Sequence, residues 1–216
     1  MLNIEKGVQP KELIAFKMTP GASYAGLGGE AAQALKKSLL AEQGNLCCYC
    51  MRRIRLDSMK VEHWRPRSRY PAEELRYENL LAACEDSKPA HGAPSEQCCD
   101  THKADRGLTY NPADRNHDVE TRLEYKGDGR IHAPNDSVFN GELDDILNLN
   151  LPFHKMNRSN VVDGLMEALD ARPGTRTSGQ LKAELKRWRS RDKNGAFQPY
   201  AGVVIYYLKK KLAAPR

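Results

Sequence analysis

The sequence has no long hydrophobic run. The apolar run at positions 203–208 is far too short to cross a bilayer, so we expect no membrane contact. Residues 1–20 contain Glu5 and Glu12 and have no continuous apolar core, so we expect no secretory signal peptide. Both observations favour a cytoplasmic protein. There is also no internal repeat and no low-complexity segment, and 216 residues suffice for one substantial domain or two small ones.

Cysteine is absent outside one part of the chain. All six cysteines lie between positions 47 and 99. In a reducing compartment, such clustering favours metal binding over disulfide formation. Cys47 and Cys50 form a Cys-x-x-Cys pair, whose two sulfurs can reach the same ion from one tight turn.

Two further cysteines, Cys84 and Cys99, complete a predicted structural zinc site of four thiolates. Cys48 and Cys98 each neighbour a predicted ligand and are expected to be spare. Cys98 would serve equally well in place of Cys99. The alternative interpretation is a set of buried, reduced cysteines without metal.

Positive charge is concentrated at one end of the chain. The net charge is +6, and in residues 181–216 lysine and arginine far outnumber the acids Glu184 and Asp192. Such a basic end can hold a nucleic acid backbone. A solvated helix face is the alternative interpretation.

The residue pattern divides the chain into three predicted segments. Residues 1–45 form an N-terminal segment whose leading helix, at 30–43, runs into the first cysteines. Residues 46–115 form the metal-bound core, in which a short strand enters Glu62-His63 and a helix starts near Asp100. Proline and glycine between 86 and 97 predict an excursion loop there.

Residues 116–216 form the third segment, a hairpin followed by helices. The hairpin is predicted to pair 119–125 with 129–132 across Lys126-Gly127-Asp128. Apolar spacing and proline positions then predict helices at 143–149, 153–169, 179–189 and 200–212. We expect this helical region to bind a partner or the substrate.

Residues suited to phosphodiester hydrolysis lie between the cysteines. A neutral imidazole can take a proton from water, which suits His63, and the neighbouring Glu62 offers a carboxylate to a hard divalent cation. Asp100 offers a second hard oxygen, and His102 is the softer alternative for this position. A Glu-His pair in isolation is more often a surface feature, so the argument depends on its location between the cysteine pairs.

Two further residues complete the predicted site. Asn79 is expected to hydrogen-bond backbone groups and hold the His63 loop, although an ordinary turn amide is the alternative. Lys103 is predicted to contact phosphate, or else to be a solvated helix residue.

Together, Cys47-x-x-Cys50, Glu62-His63-x-x-Pro66, Asn79-Leu80-Leu81, Cys84 and Cys99-Asp100-x-x-Lys103 resemble the motif of the HNH endonuclease family. The resemblance implies an α+β fold in which a zinc-bound ββα-metal (HNH) nuclease core precedes a mainly helical C-terminal region. It implies that His63 is the general base, Glu62 an acidic ligand of a catalytic Mg²⁺ or similar ion, Asn79 the central asparagine and Asp100 the third metal-binding position. The family usually has His or Asn where this sequence has Asp100.

The wider layout resembles the PtuB nucleases of Septu-type and retron-associated antiphage systems. The supporting features are the helix entering Cys-Cys-Tyr-Cys, the phrase Val-Glu-His-Trp-Arg-Pro, and Tyr110-Asn111-Pro112 before a helical C-terminal region. This resemblance implies antiviral defence with a PtuA-like ATPase partner, which a retron reverse transcriptase and its noncoding RNA would join in some systems.

Three functions therefore remain as hypotheses. The first is a metal-dependent endonuclease that cleaves DNA, and the second is the same chemistry on RNA, including tRNA. The third is a non-enzymatic zinc module that binds nucleic acid or protein, which explains the cysteines but leaves the Glu-His and Asn arrangement as coincidence.

Overall fold

The computed structural model describes residues 1–85, 96–171 and 177–214. The chain is α+β, as predicted, and the strands form two small antiparallel sheets. The helices are α1 Lys11–Lys17, α2 Gly29–Glu42, α3 Cys99–Lys103, α4 Val119–Arg122, α5 Ser137–Gly141, α6 Pro152–Asp170, α7 Ser178–Arg189 and α8 Ala201–Ala213. The strands are β1 Met59–His63, β2 Leu80–Cys84, β3 Glu124–Tyr125 and β4 Ile131–His132.

The first sheet and the helix α3 form a strand-strand-helix unit. Strand β1 pairs with β2 in a register that sets Met59 opposite Cys84 and His63 opposite Leu80. Every residue of β2 is buried, and both α2 and α3 contact this strand. The unit therefore carries a cysteine at one end and a histidine at the other, which separates the predicted zinc site from the predicted general base.

The leading helix is confirmed. Helix α2 spans Gly29–Glu42, and its apolar face, which includes Leu35 and Leu39, is fully buried. The sequence analysis did not predict α1, which packs against α2. Its only buried side chain is Leu13, so it gives little of the apolar periodicity by which a helix is recognised in sequence.

The predicted hairpin is only partly correct. Strands β3 and β4 do pair, with Tyr125 opposite Ile131, but α4 occupies the positions that were predicted to begin the first strand. Val119 and Leu123 are both buried and lie four residues apart, the spacing of one helical face. The backbone and hydroxyl of Thr121 both donate to the carbonyl of Asp118, which closes a helical turn before the strand begins.

The later helices follow the prediction with one shift. Helices α6, α7 and α8 confirm the predictions at 153–169, 179–189 and 200–212. The helix predicted at 143–149 begins earlier, as α5, and continues through a π-helical turn at Glu142–Ile146. The Asp136 side chain accepts a hydrogen bond from the Phe139 amide and fixes this earlier start. The predicted 86–97 loop falls mostly outside the described residues, as does Pro173-Gly174.

One hydrophobic cluster runs through all three predicted segments. It includes Leu35 from the first segment, Leu81 from the second and Leu143 from the third. A smaller cluster joins α6, α7 and α8 around Trp188. The described helices are all too short or too polar to span a bilayer. The division at positions 45 and 115 stays a prediction.

Candidate functional site

Four buried sulfurs lie together at the base of the strand-strand-helix unit. The Cys47 and Cys99 sulfurs are 3.8 Å apart, as are those of Cys50 and Cys84, and all four lie within 4.8 Å of one another. Zinc–thiolate bonds of about 2.3 Å in a tetrahedron place the sulfurs about 3.8 Å from each other. The arrangement therefore fits a structural zinc ion, and among the described residues it is the only such group of three or more candidate ligands.

The backbone brings the four cysteines to one point. Met51 adopts a left-handed conformation (φ 61°), and its amide donates to the Cys47 carbonyl, which turns the chain back directly after Cys50. The last residue of β2 is Cys84, and the first residue of α3 is Cys99. A turn, a strand end and a helix start thus each contribute to the cluster.

The remaining cysteines and one arginine surround the cluster. Arg52 donates from Nη2 to the Cys84 sulfur at 3.2 Å and lies 3.7 Å from the Cys98 sulfur. A guanidinium at this position would offset part of the negative charge of four thiolates bound to zinc. Cys98 lies outside the four-sulfur group, so the geometry favours Cys99 over Cys98. Burial raises the pKa of Cys48 to about 11, which keeps this spare cysteine a neutral thiol.

At the other end of the unit lies an open cleft of about 320 Å³, which we call the His63 cleft. Strand β1 and the loop after it line one side, and α3 lines the other. The predicted residues Glu62, His63 and Asp100 all contribute to its wall. The other lining residues are Tyr24, Lys60, Val61, Pro66, Arg67, Thr101, Ala104 and Asp105.

His63 is held as a neutral imidazole with a defined tautomer. Burial, partly opposed by a hydrogen bond with the Glu74 carbonyl, lowers its pKa to about 4, so the ring is uncharged near pH 7. Nε2 lies 3.0 Å from that carbonyl, which can only accept, so Nε2 carries the proton. Nδ1 therefore keeps its lone pair, and the described part of the chain gives it no hydrogen-bond partner. This is the form that a general base requires.

Glu62 lies at the centre of a buried hydrogen-bond network. Its Oε1 accepts from the Tyr49 hydroxyl at 2.7 Å and from the Lys103 ammonium at 3.0 Å. Burial and a hydrogen bond with Asp100 raise the pKa of Glu62 well above its usual range, while the Lys103 charge acts in the opposite direction.

Two predicted site residues lie elsewhere than expected. Lys103 is 1% exposed, and its ammonium donates to the His63 carbonyl at 2.9 Å as well as to Glu62, so it cannot also be the predicted phosphate contact. His102 does not line the cleft, because its Nδ1 lies 2.9 Å from the Ile146 carbonyl. Of the two alternatives for the third position, the geometry therefore favours Asp100.

Lys103 is expected to stabilise the fold through its charge. Lys103→Met leaves Glu62 Oε1 and the His63 carbonyl without their buried ammonium donor and should lower the free energy of unfolding by about 1–3 kcal/mol. Glu62→Gln in the same chain should recover part of that loss, because the remaining partner is then neutral. Urea unfolding of the single and double variants measures both effects.

Lys60→Met is the matched control, because this lysine is 36% exposed and pairs with Asp100 at 3.7 Å. Removing an ion pair this exposed should cost less than about 1 kcal/mol. Equal losses in the Lys60 and Lys103 variants, or no recovery in the double variant, would contradict the interpretation of Glu62 and Lys103 as a charged pair.

Asn79 holds the loop that follows His63. Its Oδ1 accepts from the Arg65 amide at 2.7 Å, and its Nδ2 donates to the carbonyls of Arg65 and Glu73 at 3.1 and 3.2 Å. These are the backbone contacts that the sequence analysis expected. They fix the chain on both sides of the turn that carries Pro66 and Arg67 into the cleft wall.

Replacing Asn79 should release this loop. Asn79→Ala removes all three hydrogen bonds and is expected to cost about 1–3 kcal/mol, because buried backbone groups lose their partners. Asn79→Asp keeps the acceptor for the Arg65 amide and loses only the donors. Hydrogen exchange at that amide should therefore accelerate in the alanine variant and stay slow in the aspartate variant. Equal protection in both variants would show that Asn79 does not hold the loop.

The sequence analysis missed three residues around the site. Tyr24 contacts the His63 ring edge-on, with centroids 4.4 Å apart, and the Arg67 guanidinium carbon lies over the Tyr24 ring, 4.8 Å from its centroid. Tyr49 donates to Glu62. The sequence position of two of these residues could have indicated a role in the site. Arg67 closely follows the Glu-His pair, and Tyr49 lies inside the Cys-x-x-Cys turn. Tyr24 lies far from both in sequence.

No family model matches the chain, and no curated protein sequence matches it. The assignment of a function therefore depends on the geometry described above and on the sequence resemblance.

Proposed function

We propose that this protein is a metal-dependent endonuclease of the HNH type, which hydrolyses phosphodiester bonds in nucleic acid, with DNA as the favoured substrate. The observation that carries the proposal is the neutral His63, with an unprotonated Nδ1, in the same cleft as the carboxyl groups of Glu62 and Asp100. The strand-strand-helix order and the four-cysteine cluster support it, because the HNH motif combines these features.

The two carboxyl groups suit a hard divalent cation. Mg²⁺ in proteins is commonly bound through one or two carboxylates and retains several waters. Glu62 and Asp100 offer two oxygen ligands in the same cleft, and a bound cation would favour the ionised form of Glu62, whose pKa burial raises. A bound cation would offset the negative charge that develops on the phosphate and the leaving oxygen.

The protein side chains then have distinct roles. His63 takes a proton at Nδ1 from the attacking water, while its Nε2–H stays hydrogen-bonded to the Glu74 carbonyl and keeps the ring oriented. Lys103 holds both the His63 backbone carbonyl and Glu62, so it positions two neighbouring site residues from within the core. The O–P bond to the leaving oxygen breaks as the water oxygen bonds to phosphorus.

The resemblance to PtuB nucleases supports a partner as well. We propose that a PtuA-like ATPase binds this chain and that the complex acts against bacteriophage, with a retron reverse transcriptase and its noncoding RNA as further components in some systems. The largely helical region formed by α6, α7 and α8 supplies a separate surface for such a partner.

A cleavage assay with purified protein tests the proposal. Wild-type protein is incubated with plasmid DNA and, separately, with total cellular RNA, in Mg²⁺ or Mn²⁺, with and without the ATPase. Cleavage of DNA that requires the divalent ion supports the proposal, whereas cleavage of RNA alone would support the same chemistry on the second substrate. No cleavage by folded, zinc-loaded protein under any of these conditions would favour a non-enzymatic zinc module.

A further inference from the structure

A nucleic acid in the His63 cleft needs a cation near the scissile phosphate. The cleft wall carries the carboxyl groups of Asp100 and Asp105, which repel a phosphate. Lys103, the predicted phosphate contact, is buried beneath this wall. Two basic side chains remain in the wall, Lys60 and Arg67.

Lys60 is already engaged. Its ammonium donates to the Thr101 hydroxyl at 2.9 Å and lies 3.7 Å from the Asp100 carboxylate. A substrate phosphate would have to compete with both contacts. Lys60 is therefore the weaker candidate for binding it.

Arg67 is exposed and positioned beside the proposed base. Its guanidinium carbon lies 4.8 Å from the centroid of the Tyr24 ring, and that ring lies 4.4 Å from the His63 ring. Among the residues that the structure describes, no carboxylate pairs with Arg67. One aromatic ring thus holds the guanidinium near the imidazole and leaves its N–H edges available.

We propose that Arg67, supported by Tyr24, binds a backbone phosphate of the nucleic acid next to His63. This inference rests on the proposed function and assigns the substrate contact that Lys103 cannot make. Stacking on a ring occupies one face of a guanidinium, while its planar edge donates two parallel hydrogen bonds to non-bridging phosphate oxygens. The contact reads the phosphate and not the base, so it serves DNA and RNA alike.

The proposal also gives the N-terminal segment a role in the site. Tyr24 belongs to a short 3-10 turn, Tyr24–Gly26, whose entry is fixed by Ser23, since the Ser23 hydroxyl accepts from the Gly26 amide. The helix α2 follows directly and packs against β2. The residues before the cysteines therefore complete the substrate side of the cleft.

Binding of labelled nucleic acid tests this assignment. The full chain is titrated against a short fluorescein-labelled DNA duplex and an RNA of the same sequence, without added divalent ion, so that the probe stays intact. Arg67→Ala is expected to weaken binding of both probes about tenfold, the effect of one charge-assisted contact. The slope of log affinity against log salt on the duplex should fall by about 0.9.

Arg69→Ala is the matched control, because Arg69 is an exposed arginine of the same loop that does not line the cleft. It should change affinity less than twofold. The affinity of Arg67→Lys should lie between those of the wild type and of Arg67→Ala, because lysine keeps the positive charge but lacks the planar guanidinium. Tyr24→Ala should weaken binding in the same direction as Arg67→Ala, because the guanidinium loses its support.

The outcomes separate this inference from the proposed function. Equal effects of the Arg67 and Arg69 variants, or no binding by the parent protein to either probe, would overturn the assignment of Arg67 even if wild-type protein cleaves nucleic acid. If Arg67→Ala selectively loses binding but the wild type cleaves no nucleic acid, the assignment of Arg67 as a phosphate contact stands and the proposed nuclease activity is rejected.

Discussion

Cys47→Ser is expected to abolish zinc binding and to leave the chain largely unfolded. The Cys47 sulfur lies 3.8 Å from that of Cys99 inside the four-sulfur cluster, so its loss leaves the cluster with three sulfurs. Structural zinc sites contribute apparent binding energies of about 10–16 kcal/mol, which matches or exceeds the total stability of about 5–15 kcal/mol of a typical domain. Elemental analysis should find one zinc ion per wild-type chain and none in the variant.

Cys48→Ser and Cys98→Ser are the controls, since both residues are buried cysteines next to a cluster ligand but outside the cluster. Both variants should retain zinc and a cooperative thermal transition. A chelator should lower the melting temperature of the wild type and of both controls. Zinc loss in Cys98→Ser with retention in Cys99→Ser would instead show that Cys98 is the fourth ligand. A wild-type protein without zinc that melts unchanged in chelator would contradict the site altogether.

His63→Ala is expected to remove cleavage while the fold and the zinc content stay intact. Among the described residues that line the cleft, His63 alone offers a neutral imidazole that accepts a proton from water near pH 7, since burial lowers its pKa to about 4. General base catalysis typically contributes a factor of about 10²–10⁴ to the rate. Single-turnover cleavage at saturating enzyme should therefore slow by at least that factor, with little change in substrate affinity.

His102→Ala provides the comparison within the same chain. His102 is the other histidine of the motif region, but its ring contacts the Ile146 carbonyl and lies outside the cleft. Its removal should change the cleavage rate only slightly. A large loss in His102→Ala, with Asp100→Ala near wild type, would show that His102 and not Asp100 serves the third position.

The parts of this structure that could be predicted are those determined by local patterns. The Cys-x-x-Cys turn, the short strand that enters His63 and the amphipathic α2 were each predicted from nearby residues alone. The same holds for α6, α7 and α8, which proline or a polar stretch delimits. The hairpin prediction was wrong at 119–122. There a hydrogen bond from Thr121 to the Asp118 carbonyl closes a helical turn, although the β-branched Val119 favours a strand.

The parts that could not be predicted depend on tertiary burial. Lys103 has the sequence context of an exposed helix residue, but α3 turns it inward, where the Glu62 carboxylate and the His63 carbonyl satisfy its ammonium. Arg67 becomes a cleft residue only because Tyr24, from a distant segment, lies beside it. Sequence spacing within one motif gives no information about which distant ring will contact it.

The most direct test of the account is single-turnover cleavage of labelled plasmid DNA by zinc-loaded wild-type protein and by His63→Ala, each with Mg²⁺ and with the ATPase present. The account predicts cleavage by the wild type that disappears in the variant, although both bind zinc and unfold at similar temperatures. Equal cleavage by the two proteins would contradict the assignment of His63 as the base.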